Sequence, residues 1–123
     1  MARPIFLAAA LLGFLGVAGG AFGAHALRDM LDVELLSVYE TGIRYQMYHA
    51  FALALAGWAL QKYQSPHFKQ AGWFFVTGVA LFSGSLYIMA FTGLRWLGAV
   101  TPIGGLAFLA GWFSLIVGFW KSK

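Results

Sequence analysis

Two stretches of this sequence contain the side chains whose types could do chemistry. The first stretch is Phe22–Leu27, and the second is Tyr39–Ala50. Together with two polar residues further along the chain, they form a candidate polar cluster for binding a ligand or a partner: His25, Glu40, Arg44, Tyr45, Gln46, His49, Ser85 and Tyr87. Because most of the remaining sequence is apolar, we expect any recognition to involve this polar cluster.

Spacing along a helix indicates which of these groups can meet. Glu40 and Arg44 are four residues apart with the acid first, which is the favourable order for an ion pair on a helix. Tyr45 and His49 are also four residues apart, so the phenol and the imidazole are predicted to hydrogen-bond. Two interpretations stay open. The groups either close a helix bundle as structural polar contacts, or they bind a ligand or relay protons.

The chain lacks the residue patterns that most catalytic and metal sites require. The chain has no cysteine, which excludes disulfides, thiolate ligands and cysteine nucleophiles. The histidines lack the spacing of a zinc site. Ser83 and Ser85 do not lie in the motif of a serine nucleophile. We therefore predict a protein with no catalytic residues, no metal and no cofactor, which is not an enzyme.

The composition is that of a membrane protein. Of the 123 residues, 61% are hydrophobic and only 10% are charged, whereas about a quarter of the residues in a soluble domain are charged. The net charge is +4, but the basic residues are scattered singly, which argues against nucleic acid as a partner. Membrane lipids are the expected partners, together with a second copy of the chain or another subunit of a membrane complex.

Four apolar segments have about the 20 residues that a membrane-spanning helix requires. The predicted fold class is an all-α membrane protein, a bundle of four transmembrane helices that forms one domain over the whole chain. The second helix is expected to begin near Val33, with either Asp32 as its N-cap or a later capping box at Ser37. The predicted spans are residues 4–25, 39–61, 71–92 and 102–120.

Turn signals separate these segments. The segment from Lys62 to Lys69 is predicted to be a polar loop in which Pro66 ends the second helix. Thr101 followed by Pro102 predicts the N-cap of the fourth helix. Small residues recur every three or four positions in the first and fourth helices, which predicts close helix packing. They are Ala9, Gly13, Gly16, Gly20 and Gly23, and Gly104, Ala107, Gly111, Ser114 and Gly118.

Charged residues are divided unequally between the two ends of such a bundle. One end carries only basic residues, whereas the other carries all four acids with Arg28 and Arg95. The positive-inside rule therefore places both termini in the cytoplasm and the polar cluster in the outer half of the bundle. The residues at the basic end are Arg3, Lys62, Lys69, Lys121 and Lys123.

Four segments combine glycine, aromatic and polar residues in specific motifs. They are Gly20–His25, Glu40–Ala50, Leu81–Tyr87 and Leu97–Gly105. Together and in this order, they resemble the small membrane-protein family known as domain of unknown function 423, and the resemblance covers nearly the whole chain. It implies a multi-pass protein of the bacterial inner (plasma) membrane. It implies no activity and supplies no catalytic residues.

The leading functional hypothesis is a small integral inner-membrane protein that acts as a non-enzymatic accessory or self-associating component. Its polar cluster then either locks the bundle or binds a lipid head group or a partner subunit. The alternative is a small ion or solute transporter or channel, in which the cluster lines a water-filled path and His49 relays protons. A third alternative is an enzyme that acts on a lipid or a quinone.

Overall fold

The computed structural model describes residues 2–122, and these are helical almost throughout. Short 3-10 turns at Leu27–Asp29 and Arg95–Ala99 lie in the first and third links between the helices. The described residues contain no strand, so the all-α prediction is confirmed. The four long helices are α1 at Arg3–His25, α2 at Val33–Tyr63, α3 at Pro66–Thr92 and α4 at Thr101–Lys121.

Helix α2 begins at the predicted residue. Asp32 has an extended backbone, and its carboxylate accepts a hydrogen bond from the backbone N–H of Leu35 at 2.8 Å. This contact satisfies one of the N–H groups that the first turn of a helix leaves free. The chain is already helical at Ser37, so Asp32 is the N-cap and the alternative capping box does not start the helix.

The predicted loop between the second and third helices is only two residues long. Helix α2 ends because Gln64 takes the left-handed conformation, with a φ of 56°. Ser65 then caps α3, its hydroxyl accepting a bond from the N–H of His67 at 3.4 Å. Pro66 occupies the first turn, where its missing N–H removes no helical bond. The prediction that Pro66 ends a helix is wrong, since Pro66 begins one.

Thr101 is the first residue of α4 and not its N-cap. The cap position belongs to Val100, which has a helical backbone and makes no side-chain cap bond. The hydroxyl of Thr101 instead lies 2.7 Å from the hydroxyl of Ser85 on α3 and is hydrogen-bonded to it. The N-cap prediction is therefore wrong, because the Thr101 side chain joins two helices. Pro102 lies in the first turn of α4, as predicted.

Helices α1 and α2 are antiparallel and pack through glycines of the predicted stripe together with Gly19, which the predicted stripe did not include. A Cβ atom on Gly23 would lie 2.7 Å from the ring of Tyr39, and one on Gly19 would lie 2.9 Å from Ile43. The phenol of Tyr39 also donates a hydrogen bond to the carbonyl of Gly19 at 2.7 Å. Gly13 has no neighbour within 4 Å of such a Cβ. The other glycines thus allow the close approach that favours helix association in lipid.

Helices α3 and α4 pack through phenylalanine rings that lie on glycines. The rings recur every seven residues along α3, and the glycines recur at the same spacing in the opposite direction along α4. The sequence predicted the glycine stripe of α4 but not the phenylalanines that contact it. The ring of Phe68 lies on Gly118 and the ring of Phe75 lies on Gly111, whereas Gly104 meets the backbone and the Cβ of Phe82.

Three of the four helices are long and apolar enough to cross a membrane. They are α1, α3 and α4, the last together with the turn that precedes it. Helix α2 is the longest, with 31 residues, but its N-terminal half carries Glu34, Glu40 and Arg44. Its remaining part packs on both α1 and α3 and contributes the fully buried Leu53 and Ala56 to the core.

Gly104 lies so close to α3 that even one methyl group at position 104 is expected to be too large. A Cβ on Gly104 would lie 2.8 Å from the backbone Cα of Phe82. Gly104→Ala is therefore expected to lower the free energy of unfolding by about 1–3 kcal/mol, measured as thermal unfolding in detergent by circular dichroism.

The neighbouring glycine provides a matched control for this variant. A Cβ on Gly105 would meet nothing within 4 Å, so Gly105→Ala should leave stability unchanged or raise it by up to about 1 kcal/mol through helix propensity. Equal melting temperatures for the two alanine variants would contradict the close approach of α4 to α3.

Candidate functional site

Gln46 is at the centre of a hydrogen-bond network that joins three helices. Its side chain is only 5% exposed. The amide nitrogen donates to the backbone carbonyl of Leu12 on α1 at 2.8 Å, and the amide oxygen accepts from the hydroxyl of Tyr87 on α3 at 2.6 Å. Both ends of one buried amide are therefore bonded across two different helix interfaces, as burial of a polar group requires.

A second contact between α2 and α3 lies beside this network. The hydroxyl of the fully buried Ser83 donates to the backbone carbonyl of Gly42 at 2.7 Å. A Cβ atom on Gly42 would lie only 2.7 Å from the ring of Tyr87. Because Gly42 has no side chain, Ser83 and Tyr87 can both contact the backbone of α2 at this point.

Ser83 ends a π-helical turn within α3. The turn comprises Val79–Ser83 and separates two α-helical parts, Pro66–Gly78 and Gly84–Thr92. Single π-helical turns are rare and occur often at functional sites. This one lies at the level of the Gln46 network, because Ser83 contacts Gly42, four residues before Gln46 on α2.

His49 has a separate set of partners, most of them aromatic. Its ring is 5% exposed and stacks on Phe108 of α4, with the ring centroids 3.6 Å apart. The indole N–H of Trp112 donates to Nε2 at 3.1 Å, and Nδ1 lies 2.7 Å from the backbone carbonyl of Tyr45. An indole N–H can only donate and a carbonyl can only accept. These two partners therefore fit a neutral imidazole that carries its proton on Nδ1.

The predicted hydrogen bond between the phenol of Tyr45 and His49 is wrong. The backbone of Tyr45 is the partner, and its ring packs instead on Phe82 with the centroids 4.7 Å apart. Both ring nitrogens of His49 are already bonded within the chain. In this arrangement, His49 joins α2 to α4 as a structural polar contact.

The predicted ion pair between Glu40 and Arg44 is also wrong. Arg44 donates instead to the hydroxyl of Thr41 at 3.2 Å. Within residues 2–122, the single ion pair joins Glu34 at the start of α2 to Arg95 in the link between α3 and α4. Both side chains are more than half exposed, so the pair contributes about 0–1 kcal/mol. Its position shows that these two segments meet at the same end of the bundle.

Four of the predicted residues are exposed, and three of them, His25, Glu40 and Arg44, lie apart from the buried networks. Glu40 and Arg44 are exposed and, with Tyr39, line a shallow groove of about 340 Å³ between α1 and α2. His25 is the exposed last residue of α1. We call the groove lined by Tyr39, Glu40 and Arg44 the outer groove.

The structure does not bring the two candidate histidines together. Along the α1–α2 interface, Gly23 meets Tyr39 and Gly19 meets Ile43, so residue 25 is level with about residue 37 of α2. His49 is twelve residues further along α2, which corresponds to about 18 Å along the helix axis. Of the eight predicted residues, Gln46 pairs with Tyr87, and Ser85 and His49 each bond to a residue of α4. Tyr45 packs its ring on Phe82, and His25, Glu40 and Arg44 form a separate surface group.

Trp112 was not among the predicted site residues, although its position in the sequence was a signal. The other four tryptophans lie near the ends of the predicted spans, where aromatic side chains are typical of the membrane interface; they are Trp58, Trp73, Trp96 and Trp120. Trp112 lies in the middle of the span predicted at 102–120. A tryptophan at that depth needs an acceptor for its N–H, and His49 is that acceptor.

Comparison with known proteins places the chain in a family. A family model described as "Protein of unknown function (DUF423)" matches residues 19–105. A UPF0382 membrane protein of Staphylococcus haemolyticus is 47% identical over 112 residues, covering 91% of each chain. The chain belongs to the DUF423 family. The resemblance identified from the sequence motifs is thereby confirmed.

Other relatives of this DUF423 protein are also membrane proteins by name. A UPF0382 membrane protein of Haemophilus influenzae is 46% identical over 93% of this chain and 91% of its own. The UPF0382 inner membrane protein YgdD of Escherichia coli is 41% identical over 98% of this chain and 92% of its own. No solved structure matches the chain. The protein is thus a small integral membrane protein, and the names of these relatives describe no enzymatic activity.

The Gln46–Tyr87 bond of this DUF423 protein can be tested by a double-mutant cycle. Gln46→Leu leaves the partly buried hydroxyl of Tyr87 without its partner, and we expect a loss of about 1–3 kcal/mol in the free energy of unfolding. Tyr87→Phe leaves the amide oxygen of Gln46 without its donor. The double variant should therefore lose less than the sum of the single losses, by about 0.5–2 kcal/mol.

Equilibrium unfolding in detergent provides the measurement for this cycle. Tyr48→Phe is the matched control, because Tyr48 is 55% exposed on the same helix and should tolerate the loss of its hydroxyl. Strictly additive losses for Gln46→Leu and Tyr87→Phe would contradict a direct bond between the two side chains.

Proposed function

We propose that this DUF423 protein is a non-enzymatic accessory component of the bacterial inner membrane, and that it crosses the membrane four times. The observation that carries the proposal is the pairing of its buried polar groups. Among residues 2–122, every buried side-chain nitrogen and oxygen has a hydrogen-bond partner within the chain. Buried polar groups that are already paired to one another act as a lock on the bundle and are not free to bind a substrate.

The position of α2 supports the proposal that it crosses the membrane in addition to α1, α3 and α4. Residues 45–61 of α2 carry no charged side chain, and they would cover about 26 Å at the rise of an α-helix. This part packs against α1 and α3, two helices that are long and apolar enough to cross a membrane. Because α2 runs antiparallel to α1 and lies beside α3, we infer that it crosses the membrane with these two helices.

The charge distribution supports an orientation with both termini in the cytoplasm. The end with the termini and the α2–α3 link carries Arg3, Lys62, Lys69 and Lys121 without an acid. The opposite end carries every acid of the chain, including the Glu34 that pairs with Arg95. Under the positive-inside rule, the basic end is cytoplasmic.

Because the chain has no cysteine, single cysteines can test this topology without further changes. We expect Leu94→Cys to react with a membrane-impermeant maleimide in intact spheroplasts, and Lys69→Cys to react only after the membrane is permeabilised. Both residues are exposed, so access to each thiol depends on the membrane. The reversed pattern would contradict the orientation, and reaction of both from the same side would contradict a crossing by α3.

We place the recognition surface of the protein at the outer groove. Glu40 and Arg44 are exposed predicted site residues that line the groove without pairing to each other, and His25 is exposed at the same end of the bundle. A charged group of each sign beside an apolar floor suits a partner subunit or a lipid head group. The buried residues of the predicted cluster then hold the helices that form this surface.

In-membrane crosslinking tests this assignment. A photoreactive side chain in place of Arg44 should yield one stoichiometric product, either a dimer of this chain or a complex with one membrane partner. The same group in place of Phe14, which is 73% exposed on α1, is the control for random contact in the bilayer and should yield none. Equal products from both positions would overturn a specific surface at the outer groove.

A small transporter is the second candidate function, and the π-helical turn of α3 favours it. Such turns often mark functional sites, and this one adjoins the Gln46–Tyr87 pair. Purified protein in liposomes should not dissipate a proton or ion gradient if the accessory function is correct. Flux that is abolished by His49→Ala or Gln46→Leu, but not by Tyr48→Phe, would establish transport instead.

A further inference from the structure

A second groove lies at the opposite end of the bundle from the outer groove. It is formed by the first turns of α1 and the last turn of α2, and its volume is about 1060 Å³. Pockets that hold small molecules have volumes of about 300–1,000 Å³, so this groove is large for a protein of 123 residues. We call it the inner groove, without reference to the orientation of the protein in the membrane.

The inner groove is amphipathic along its length. Its polar mouth is formed by Arg3, Gln61 and Gln64, whereas Phe6 and Leu7 belong to its apolar wall. The wall continues along α1 to Ala10, about 10 Å from Arg3 along the helix axis. A guest that matches this pattern has a polar head at one end and a hydrocarbon chain that runs parallel to α1. In a membrane protein, phospholipid is the amphiphile that surrounds this surface.

The charge at the mouth selects the head group. Arg3 is the one charged side chain among the residues that line the inner groove. Lys62 is close in sequence to the mouth, but its ammonium group lies over the rings of Trp58 and Tyr63, at 5.1 and 5.4 Å from their centroids. No acidic residue lies at this end within residues 2–122. The mouth is therefore complementary to a negatively charged head group.

We propose that the inner groove is a binding site for an anionic phospholipid. The phosphate contacts the guanidinium of Arg3, and the side-chain amides of Gln61 and Gln64 bond to the remaining oxygens of the head group. One acyl chain lies along the apolar wall at Leu7. The proposal needs only that the protein is embedded in a membrane, so it is independent of the orientation and of any function at the outer groove.

A site-specific quenching experiment tests the proposal. Ala10→Cys provides a unique thiol in a chain without cysteine, at the apolar end of the groove, and it can carry a small fluorophore such as bimane. The labelled protein is reconstituted in phosphatidylcholine vesicles that contain increasing fractions of phosphatidylglycerol with brominated acyl chains. We expect half-maximal quenching at a mole fraction about fivefold lower than with brominated phosphatidylcholine, since one basic residue near a membrane surface favours anionic lipid by about this factor.

Charge variants distinguish the groove from the general charge of the bundle end. Arg3→Gln and Gln61→Glu should each remove the preference for phosphatidylglycerol, and Arg3→Lys should retain most of it. Lys69→Gln is the matched control, because it makes the same charge change at the same end on an exposed residue outside the groove. Helical circular dichroism of each variant verifies that it is folded, and the groups at the mouth are exposed enough to be replaced.

Three outcomes would overturn the proposal. Equal quenching by the two brominated lipids, in labelled protein that keeps Arg3 and Gln61, would show that the groove has no preference for anionic lipid. An equal loss of preference in Arg3→Gln and Lys69→Gln would assign the effect to surface charge in general. Release of the quenching lipid by millimolar inorganic phosphate or glycerol 3-phosphate would identify a site for small anions and not for a lipid.

Discussion

Within a lipid bilayer, a buried polar side chain must find its hydrogen-bond partner in the protein, because hydrocarbon offers none. This constraint governs the contact between the two halves of the bundle. Gln46 bonds at once to the backbone of α1 and to Tyr87 of α3. His49 accepts a bond from Trp112 of α4. These side chains help to hold the relative positions of the helices, because a shift of either neighbour would break a hydrogen bond of a buried group.

Glycine packing accounts for the rest of the architecture. Helices α1 and α2 approach through the glycines that face Tyr39 and Ile43, and α3 and α4 approach through glycines that face phenylalanine rings. The bundle is therefore two antiparallel pairs of helices, each held by the fit of large side chains onto glycine. In lipid, such packing and interhelical hydrogen bonds replace the hydrophobic effect as the force between helices. The polar contacts then join one pair to the other.

The pairing of the buried polar groups within the bundle also bears on the functional proposals. Because the buried polar side chains of residues 2–122 are bonded within the chain, we propose recognition at the surface of the bundle. The outer groove presents Glu40 and Arg44, and the inner groove presents Arg3 above an apolar wall. A small membrane protein with a locked interior and two amphipathic grooves is suited to contact lipids or a partner subunit. The π-helical turn at Val79–Ser83 is the interior feature that suits transport.

The sequence by itself determined the class of the protein, the family and the glycine stripes, and it narrowed the start of α2 to two candidate caps. These features depend on composition and on spacing within about one or two helical turns, which a single sequence displays directly. Only the tertiary structure decided which groups meet. Glu40 and Arg44 have the spacing of an ion pair but separate, and His49 bonds to Trp112 on another helix, 63 positions away along the chain. Spacing shows that two residues share a face, whereas the partner that a polar group bonds depends on the helix packed against that face.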